Sequence, residues 1–284
     1  MEIKRVGVVG CGLMGSGITE VCARAGYSVV VSDINQELLD KGMKAIRSSL
    51  DAGVKKGKLT EQDREATLGR LKGTLKMEDY RDCDLVIEVV IENLEEKRKV
   101  FATLDKVCPQ HAILASNTSC LSILDMAMAT KRPAQVVGMH FFQPAPIMRL
   151  VEVVRTILSS DETIETAKAF CQSVGKKPIL CKDIPGFIVN RLAISFLLTA
   201  IRGLEEGLAT REDIDQGVML GLNHPLGPLQ LADFIGLDTI YYICSAMYEE
   251  LKDPLYAPPT LLKKMVIAGH LGRKSGKGFY DYKQ

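Results

Sequence analysis

The chain has 284 residues, 46% of them hydrophobic and 25% charged, with 36 basic side chains against 35 acidic ones. That length predicts about two domains, each able to bury its own core, and the balanced charge gives no electrostatic case for nucleic acid or an anionic membrane as partner. No run of about 18 apolar residues suits a bilayer span, no leader precedes the first apolar run, and the eight scattered cysteines form no C-x-x-C pair, so a cytoplasmic protein with reduced thiols, without disulfide framework or metal site, is expected.

Residues 5–10 read as a short buried strand, rich in valine and closed by glycine. Gly10-Cys11-Gly12-Leu13-Met14-Gly15 follows, and Leu13, Ile18, Val21, Cys22 and Ala25 then recur at helical spacing until Gly26 ends the helix. Residues 27–33 are a second strand with Asp33 at its carboxyl end. A lone G-x-G-x-x-G is a weak signal. Placed between a strand and a helix, with a carboxylate 18 residues beyond its last glycine, it specifies a dinucleotide-binding β-α-β unit. Gly10 then permits the tight turn, Gly12 lets the backbone approach a pyrophosphate, and Gly15 allows close helix–strand packing. Leu13 and Met14 complete the loop at the helix start, whose N–H groups face the phosphates. Asp33 accepts from the adenosine ribose hydroxyls and repels a 2′-phosphate, so NAD is expected over NADP.

Residues 37–76 are polar and helical in pattern, with apolar positions 38, 39, 43, 46 and 50 on one face. Between positions 41 and 58, Lys41, Lys44, Arg47, Lys55, Lys56 and Lys58 stand against Asp51 alone. Two readings fit this stretch: a solvated helical hairpin, and a clamp for a polyphosphate handle on the substrate, since lysine supplies mobile point charges for phosphate.

Residues 84–90 and 112–116 are further buried strands. The second ends in Ser116-Asn117-Thr118-Ser119, where open α/β sheets bind ligands, although Ser116, Asn117 or Ser119 also suits as the cap of a helix over 121–129. Residues 135–140 form a strand ending in His140, and after a proline-bearing link a strand over 150–154 carries Glu152. A chain that returns in this way brings His140 and Glu152 together. A carboxylate bonded to one imidazole nitrogen sets the tautomer and raises basicity, so that the other nitrogen exchanges a proton with substrate. His111 and His270 sit in polar surroundings and His224 in a turn, which makes His140 the histidine beside the predicted crevice.

Near residue 183 the composition shifts, and helical segments at 187–206, 211–220, 227–235, 237–252 and 259–269 follow one another between prolines. The expected architecture is a Rossmann-type α/β domain with a mostly parallel sheet over residues 1–184, carrying the helical hairpin, and then an all-α domain over 185–284 for substrate and dimerisation. Residues 187–204 are apolar on most sides, which predicts a central or interface helix and hence a homodimer, or a higher assembly of dimers.

The chain also carries Val8-Val9-Gly10-Cys11-Gly12-Leu13-Met14-Gly15-Ser16-Gly17, Ala115-Ser116-Asn117-Thr118-Ser119 and Gly138-Met139-His140-Phe141-Phe142-Gln143-Pro144. Lys182-Asp183-Ile184-Pro185-Gly186-Phe187-Ile188-Val189-Asn190-Arg191 follows, then His224-Pro225-Leu226-Gly227-Pro228-Leu229 and a tail of Gly272-Arg273-Lys274-Ser275-Gly276-Lys277-Gly278-Phe279-Tyr280. In these motifs and their order it resembles, over its whole length, the short-chain L-3-hydroxyacyl-CoA dehydrogenase family, nearest its stand-alone bacterial 3-hydroxybutyryl-CoA dehydrogenases.

That resemblance implies reversible hydride transfer between NAD(H) and acetoacetyl-CoA or 3-hydroxybutyryl-CoA, with His140 as catalytic base and Glu152 as its partner. It implies that Ser119 and Asn190 bond the reacting oxygen, that Asn117 and the side chain at Gln143 face the cofactor, and that Glu92 and Lys97 surround the nicotinamide ribose. It further implies that Lys274 reaches the cofactor from the tail, and that Ser49 and Lys56 contact coenzyme A. The family usually has Asn where Gln143 stands, Lys at Arg149 and Met at Leu226. A proline and a glutamate of its first C-terminal helix are Ser195 and Thr199 here, which predicts that helix without a kink. Two other readings share parts of the pattern: a gulonate dehydrogenase or lens-crystallin branch with the same His/Glu pair, and a non-catalytic NAD-binding protein.

Overall fold

The valine-rich segments become strands at the centre of a sheet buried on both faces, as parallel strands flanked by helices must be. In the computed structural model, which describes residues 2–282, β1 (Arg5–Val9), α1 (Leu13–Arg24) and β2 (Ser28–Ser32) form the first β-α-β unit. Then come α2 (Gln36–Lys55), α3 (Glu61–Leu68), β3 (Leu71–Thr74), β4 (Leu85–Glu88), α4 (Leu94–Val107), β5 (Ile113–Ser116) and α5 (Ile123–Ala127). β6 (Val136–Phe141), β7 (Leu150–Arg155), α6 (Asp161–Ser173) and β8 (Lys177–Lys182) complete the series. Among the described residues the sheet has eight strands in the order β3-β2-β1-β4-β5-β6-β7-β8, parallel except for the β6–β7 pair. The strand order reverses between β1 and β4, and a crevice at the carboxyl ends of strands at such a reversal is where open α/β sheets take their ligands.

The chain divides into two units, Met1–Asp183 and Ile184–Gln284. The core of the first joins Val6 and Val8 of β1 to Ile18 and Cys22 of α1, Ile87 of β4, and Val151 and Val153 of β7. The second consists, among the described residues, of five α-helices: α7 (Val189–Glu205), α8 (Arg211–Leu222), α9 (Pro228–Ile235), α10 (Leu237–Leu251) and α11 (Thr260–Ile267). Its core packs Ile194, Leu197, Leu198 and Ile201 of α7 against Leu229 and Ala232 of α9 and Ile240, Cys244 and Met247 of α10. Two buried carboxylates tie the glycine-rich tail to this bundle. Asp233 accepts from the N–H groups of Phe279 and Tyr280, and Asp215 from Leu229 N–H and the Tyr280 hydroxyl. α7 runs unbroken past Ser195 and Thr199, whose hydroxyls donate to carbonyls of the preceding turn.

Three details differ from expectation. The helical reading of 37–76 fails at its end, where Leu71–Thr74 is a strand; its exposed sequence carries no alternation, and the open edge of β2 decides its conformation. The sequence pattern marks neither α6 nor β8, and β8 is again a largely exposed edge strand. Leu13, Ala25 and Leu38, expected on inward faces, are exposed, because each sits at a helix terminus.

Candidate active site

The glycine loop is built by three different constraints. Gly10 has φ +103°, and a Cβ there would lie 2.6 Å from the Val89 carbonyl oxygen. A Cβ on Gly15 would lie 1.8 Å from the Gly10 oxygen, so α1 can start against β1 only without a side chain. Gly12 is different: a Cβ there meets nothing within 4 Å, so its missing side chain leaves open the space in front of the loop. No side chain caps α1 at Gly12, which leaves the first N–H groups of the helix to an outside acceptor. The Asp33 carboxylate is aimed by Cys11 N–H on Oδ2 (2.8 Å) and Ile34 N–H on Oδ1 (2.7 Å), and each oxygen keeps a further lone pair for a ribose hydroxyl. Around this cradle Leu13, Ile34 and Ile91 are 72%, 83% and 70% exposed, a set of apolar surfaces suited to a flat base. A cradle of open space, uncapped helix donors and an oriented carboxylate fits a dinucleotide. Gly42 of α2 also belongs here, since a Cβ would lie 2.0 Å from the Cys11 oxygen; sequence reasoning missed it because a glycine inside a helix carries no spacing signal.

His140 on β6 and Glu152 on β7 are register partners. Cross-strand partners share a face of the sheet, and here His140 Nδ1 lies 2.7 Å from Glu152 Oε2, with Glu152 fully buried and His140 nearly so. A carboxylate against Nδ1 favours the proton on that nitrogen and orients the ring. The Phe142 ring packs against the imidazole at 4.5 Å between centroids. Asn117 stands at the neighbouring strand end, where its Oδ1 accepts from Phe141 N–H (2.8 Å) and ties β5 to the residue after His140.

A second polar group lies at the ends of β4 and β5. Glu92 Oε1 accepts from the Ser119 N–H (3.0 Å) and from the Thr118 hydroxyl, and Glu92 Oε2 lies 3.3 Å from Lys97 Nζ. Burial works to raise the Glu92 carboxyl, but the Lys97 ammonium, the Thr118 hydroxyl and the Ser119 N–H outweigh it and hold the group below its ordinary value. Of the proposed helix caps at this point none serves: Ser122 caps α5 through Asp125 N–H, and Asp183 accepts from Ile123 and Leu124 N–H. Ser116 is turned instead into the protein, toward Glu88. Glu88 reads from the sequence as an ordinary strand residue, and Ser116, expected at a ligand-binding strand end or as a helix cap, is buried against it.

The first unit thus gathers Gly10, Gly12, Gly15 and Asp33 into a loop at the sheet's reversal point, pairs His140 with Glu152, and links Glu92 and Lys97 to Ser119. Met14 is half-buried and Gln143 exposed. Ser49 and Lys56 are exposed on α2 and at its end, and all six cations between 41 and 58 are exposed. Asp51 is bound to Arg64 Nε (2.6 Å), and among the described residues none of the six cations has an ion-pair partner, so the local positive charge is not neutralised. Asn190, in the first turn of α7, and Lys274, in the tail, belong to the second unit; Lys274 Nζ is held by Asp238 Oδ2 at 2.7 Å. Burial pushes all eight thiols up to about 12, which leaves none activated as a nucleophile.

Residues 5–184 match the family described as 3-hydroxyacyl-CoA dehydrogenase, NAD binding domain, and residues 186–282 the 3-hydroxyacyl-CoA dehydrogenase C-terminal domain. The chain is 49% identical to a 3-hydroxybutyryl-CoA dehydrogenase of Mycobacterium tuberculosis, with 99% of each chain covered. It is 44% identical to the mitochondrial hydroxyacyl-coenzyme A dehydrogenase of Mus musculus, covering 99% of this chain and 92% of that one. The crystal structure of (S)-3-hydroxybutyryl-CoA dehydrogenase from Ralstonia eutropha superposes with a TM-score of 0.96 at 45% identity over 100% of both chains.

Proposed function

The chain belongs to the 3-hydroxyacyl-CoA dehydrogenase family, whose members are NAD-dependent oxidoreductases, and from that premise we propose that it reversibly interconverts (S)-3-hydroxybutyryl-CoA and acetoacetyl-CoA through a His140–Glu152 acid/base pair. The observation that carries the reading is the buried 2.7 Å contact between His140 Nδ1 and Glu152 Oε2, in the same sheet whose carboxyl edge bears the dinucleotide cradle. NAD supplies the hydride acceptor or donor.

The protein's own part is binding and proton transfer. His140 Nε2 takes the proton of the 3-hydroxyl group during oxidation and returns it during reduction, and Glu152 stabilises the imidazolium in between; such help contributes about 10²–10⁴-fold. Gly10, Gly12, Leu13, Met14, Gly15 and Asp33 hold the adenosine and pyrophosphate side of the cofactor, and Glu92, backed by the buried Lys97, the nicotinamide ribose. Ser119 and Asn190 orient the reacting oxygen. The exposed cations around Ser49 and Lys56 supply the phosphate contacts for coenzyme A. In this reading the first unit is the NAD domain, and the second serves substrate and dimerisation in a cytoplasmic homodimer. Among the described residues no helix is long and apolar enough to cross a membrane.

The test follows NADH oxidation with acetoacetyl-CoA and with free acetoacetate. Turnover of the thioester and little of the free acid is the expected result. No turnover of either defeats the reading, and equal turnover of both defeats the role of the basic helix. Charge reversal by Lys44→Glu with Lys56→Glu raises KM for the thioester, most at low salt, and leaves kcat near its starting value.

A further inference from the structure

The deepest charged pair of the first unit has no place in the acid/base chemistry. Glu88, the last residue of β4, is fully buried, and Lys97 is 1% exposed. Glu88 Oε1 accepts from Lys97 Nζ and from Val90 N–H, and Oε2 from the Ser116 hydroxyl, each at 2.7 Å. The Glu88 carbonyl also takes Asn117 N–H at 2.9 Å. One residue therefore ties together the loop after β4, the first turns of α4 and the carboxyl end of β5.

A buried ammonium requires a close counter-charge. Glu92 is the other carboxylate beside Lys97, but it is partly exposed and stands farther off, at 3.3 Å. Its second oxygen is engaged with Ser119 N–H and Thr118. With Glu88 holding Lys97, Glu92 remains turned toward the Ser119 loop. Without that charge, Lys97 draws Glu92 inward and away from Ser119.

We propose that Glu88 is a positioning residue for cofactor binding, acting through Lys97 to set Glu92 and the Ser119 loop. The proposal rests on the reading of this crevice as the NAD site. Being fully buried, Glu88 touches no ligand itself, and its effect vanishes when Lys97 is removed.

The experiment is a double-mutant cycle on the full chain, read as NADH affinity by fluorescence titration together with Tm. Glu88→Gln keeps the shape of the side chain and removes its charge. It weakens NADH binding by about 5-fold or more in the wild-type background and by less than about 2-fold in the Lys97→Met background. In that second background Tm rises, because a buried carboxylate that has lost its partner is removed. If Glu88→Gln alone yields no folded protein, Glu88→Asp, whose carboxylate stops one methylene short of Lys97, gives the same contrast in NADH affinity without the rise in Tm. Unchanged NADH affinity in the wild-type background, or an equal loss in both backgrounds, overturns the proposal while the NAD reading stands. Failure of the wild-type chain to bind NADH overturns both.

Discussion

His140 stands directly opposite Glu152 across the antiparallel pair β6–β7, and their 2.7 Å contact follows from that register. The side chains of a strand alternate faces, so a slip of one residue would turn Glu152 to the other face of the sheet and leave the imidazole without its carboxylate. The register is held from outside the strands as well. The Lys176 ammonium, itself buried, donates to the carbonyls of Ala145 (2.6 Å) and Met148 (2.8 Å) in the connection between the two strands.

His140→Ala lowers kcat with acetoacetyl-CoA by about 10²–10⁴-fold and leaves NADH affinity intact. Glu152→Gln preserves shape and lowers kcat by about 10- to 100-fold, the worth of a hydrogen bond to a charged group, with little change in KM. Steady-state kinetics and NADH titration of both variants check this; near-normal turnover of either removes the assignment.

Gly12→Ala and Gly15→Ala separate binding from folding. The added methyl at Gly12 enters open space, so Tm stays near that of the wild type while NADH binding weakens by about tenfold or more. At Gly15 the methyl collides with the Gly10 carbonyl, and overpacking of this kind costs about 1–3 kcal/mol. Thermal melts beside NADH titrations distinguish the two, and equal loss of stability in both variants would contradict the geometry.

Asp33→Asn raises the selectivity for NADPH relative to NADH by about 10- to 100-fold, because a 2′-phosphate no longer meets a carboxylate. Kinetics with both cofactors measure the ratio. An unchanged ratio shows that NAD preference resides elsewhere.

Glu92 makes stability depend on pH in a defined sense. Its folded-state carboxyl lies below the ordinary 4.5, so the unfolded chain binds the proton more readily and acid favours unfolding. The contribution is fully present above pH 4.5 and is lost as pH falls below that value through the folded-state pKa. Urea midpoints of the wild type and of Glu92→Gln differ by a constant amount at neutral pH and converge in that acid window; a constant difference down to pH 3 contradicts it.

Much of the first unit is legible locally. The glycines, the helix start and Asp33 lie within one short stretch whose spacing alone specifies strand, turn and strand. The helices of the second unit are legible for the same reason, since apolar periodicity and prolines are read a few residues at a time. His140 and Glu152 were legible as a pair only because the chain between them is short enough to return. β3 and β8 were not, because their exposed sequences take strand form from a neighbour's open edge. Glu88 was hidden by its position at the end of an apolar strand.

The sequence by itself determined the fold class, the cofactor and the family, which rest on side chains close together along the chain. Only the tertiary structure decided that Ser116 faces inward to Glu88, that Gly42 closes on Cys11, and that Lys274 rests on Asp238. Those partners are far apart along the chain. What joins them is strand order and helix packing, and a buried charge or a missing Cβ becomes visible only once its neighbours are in place.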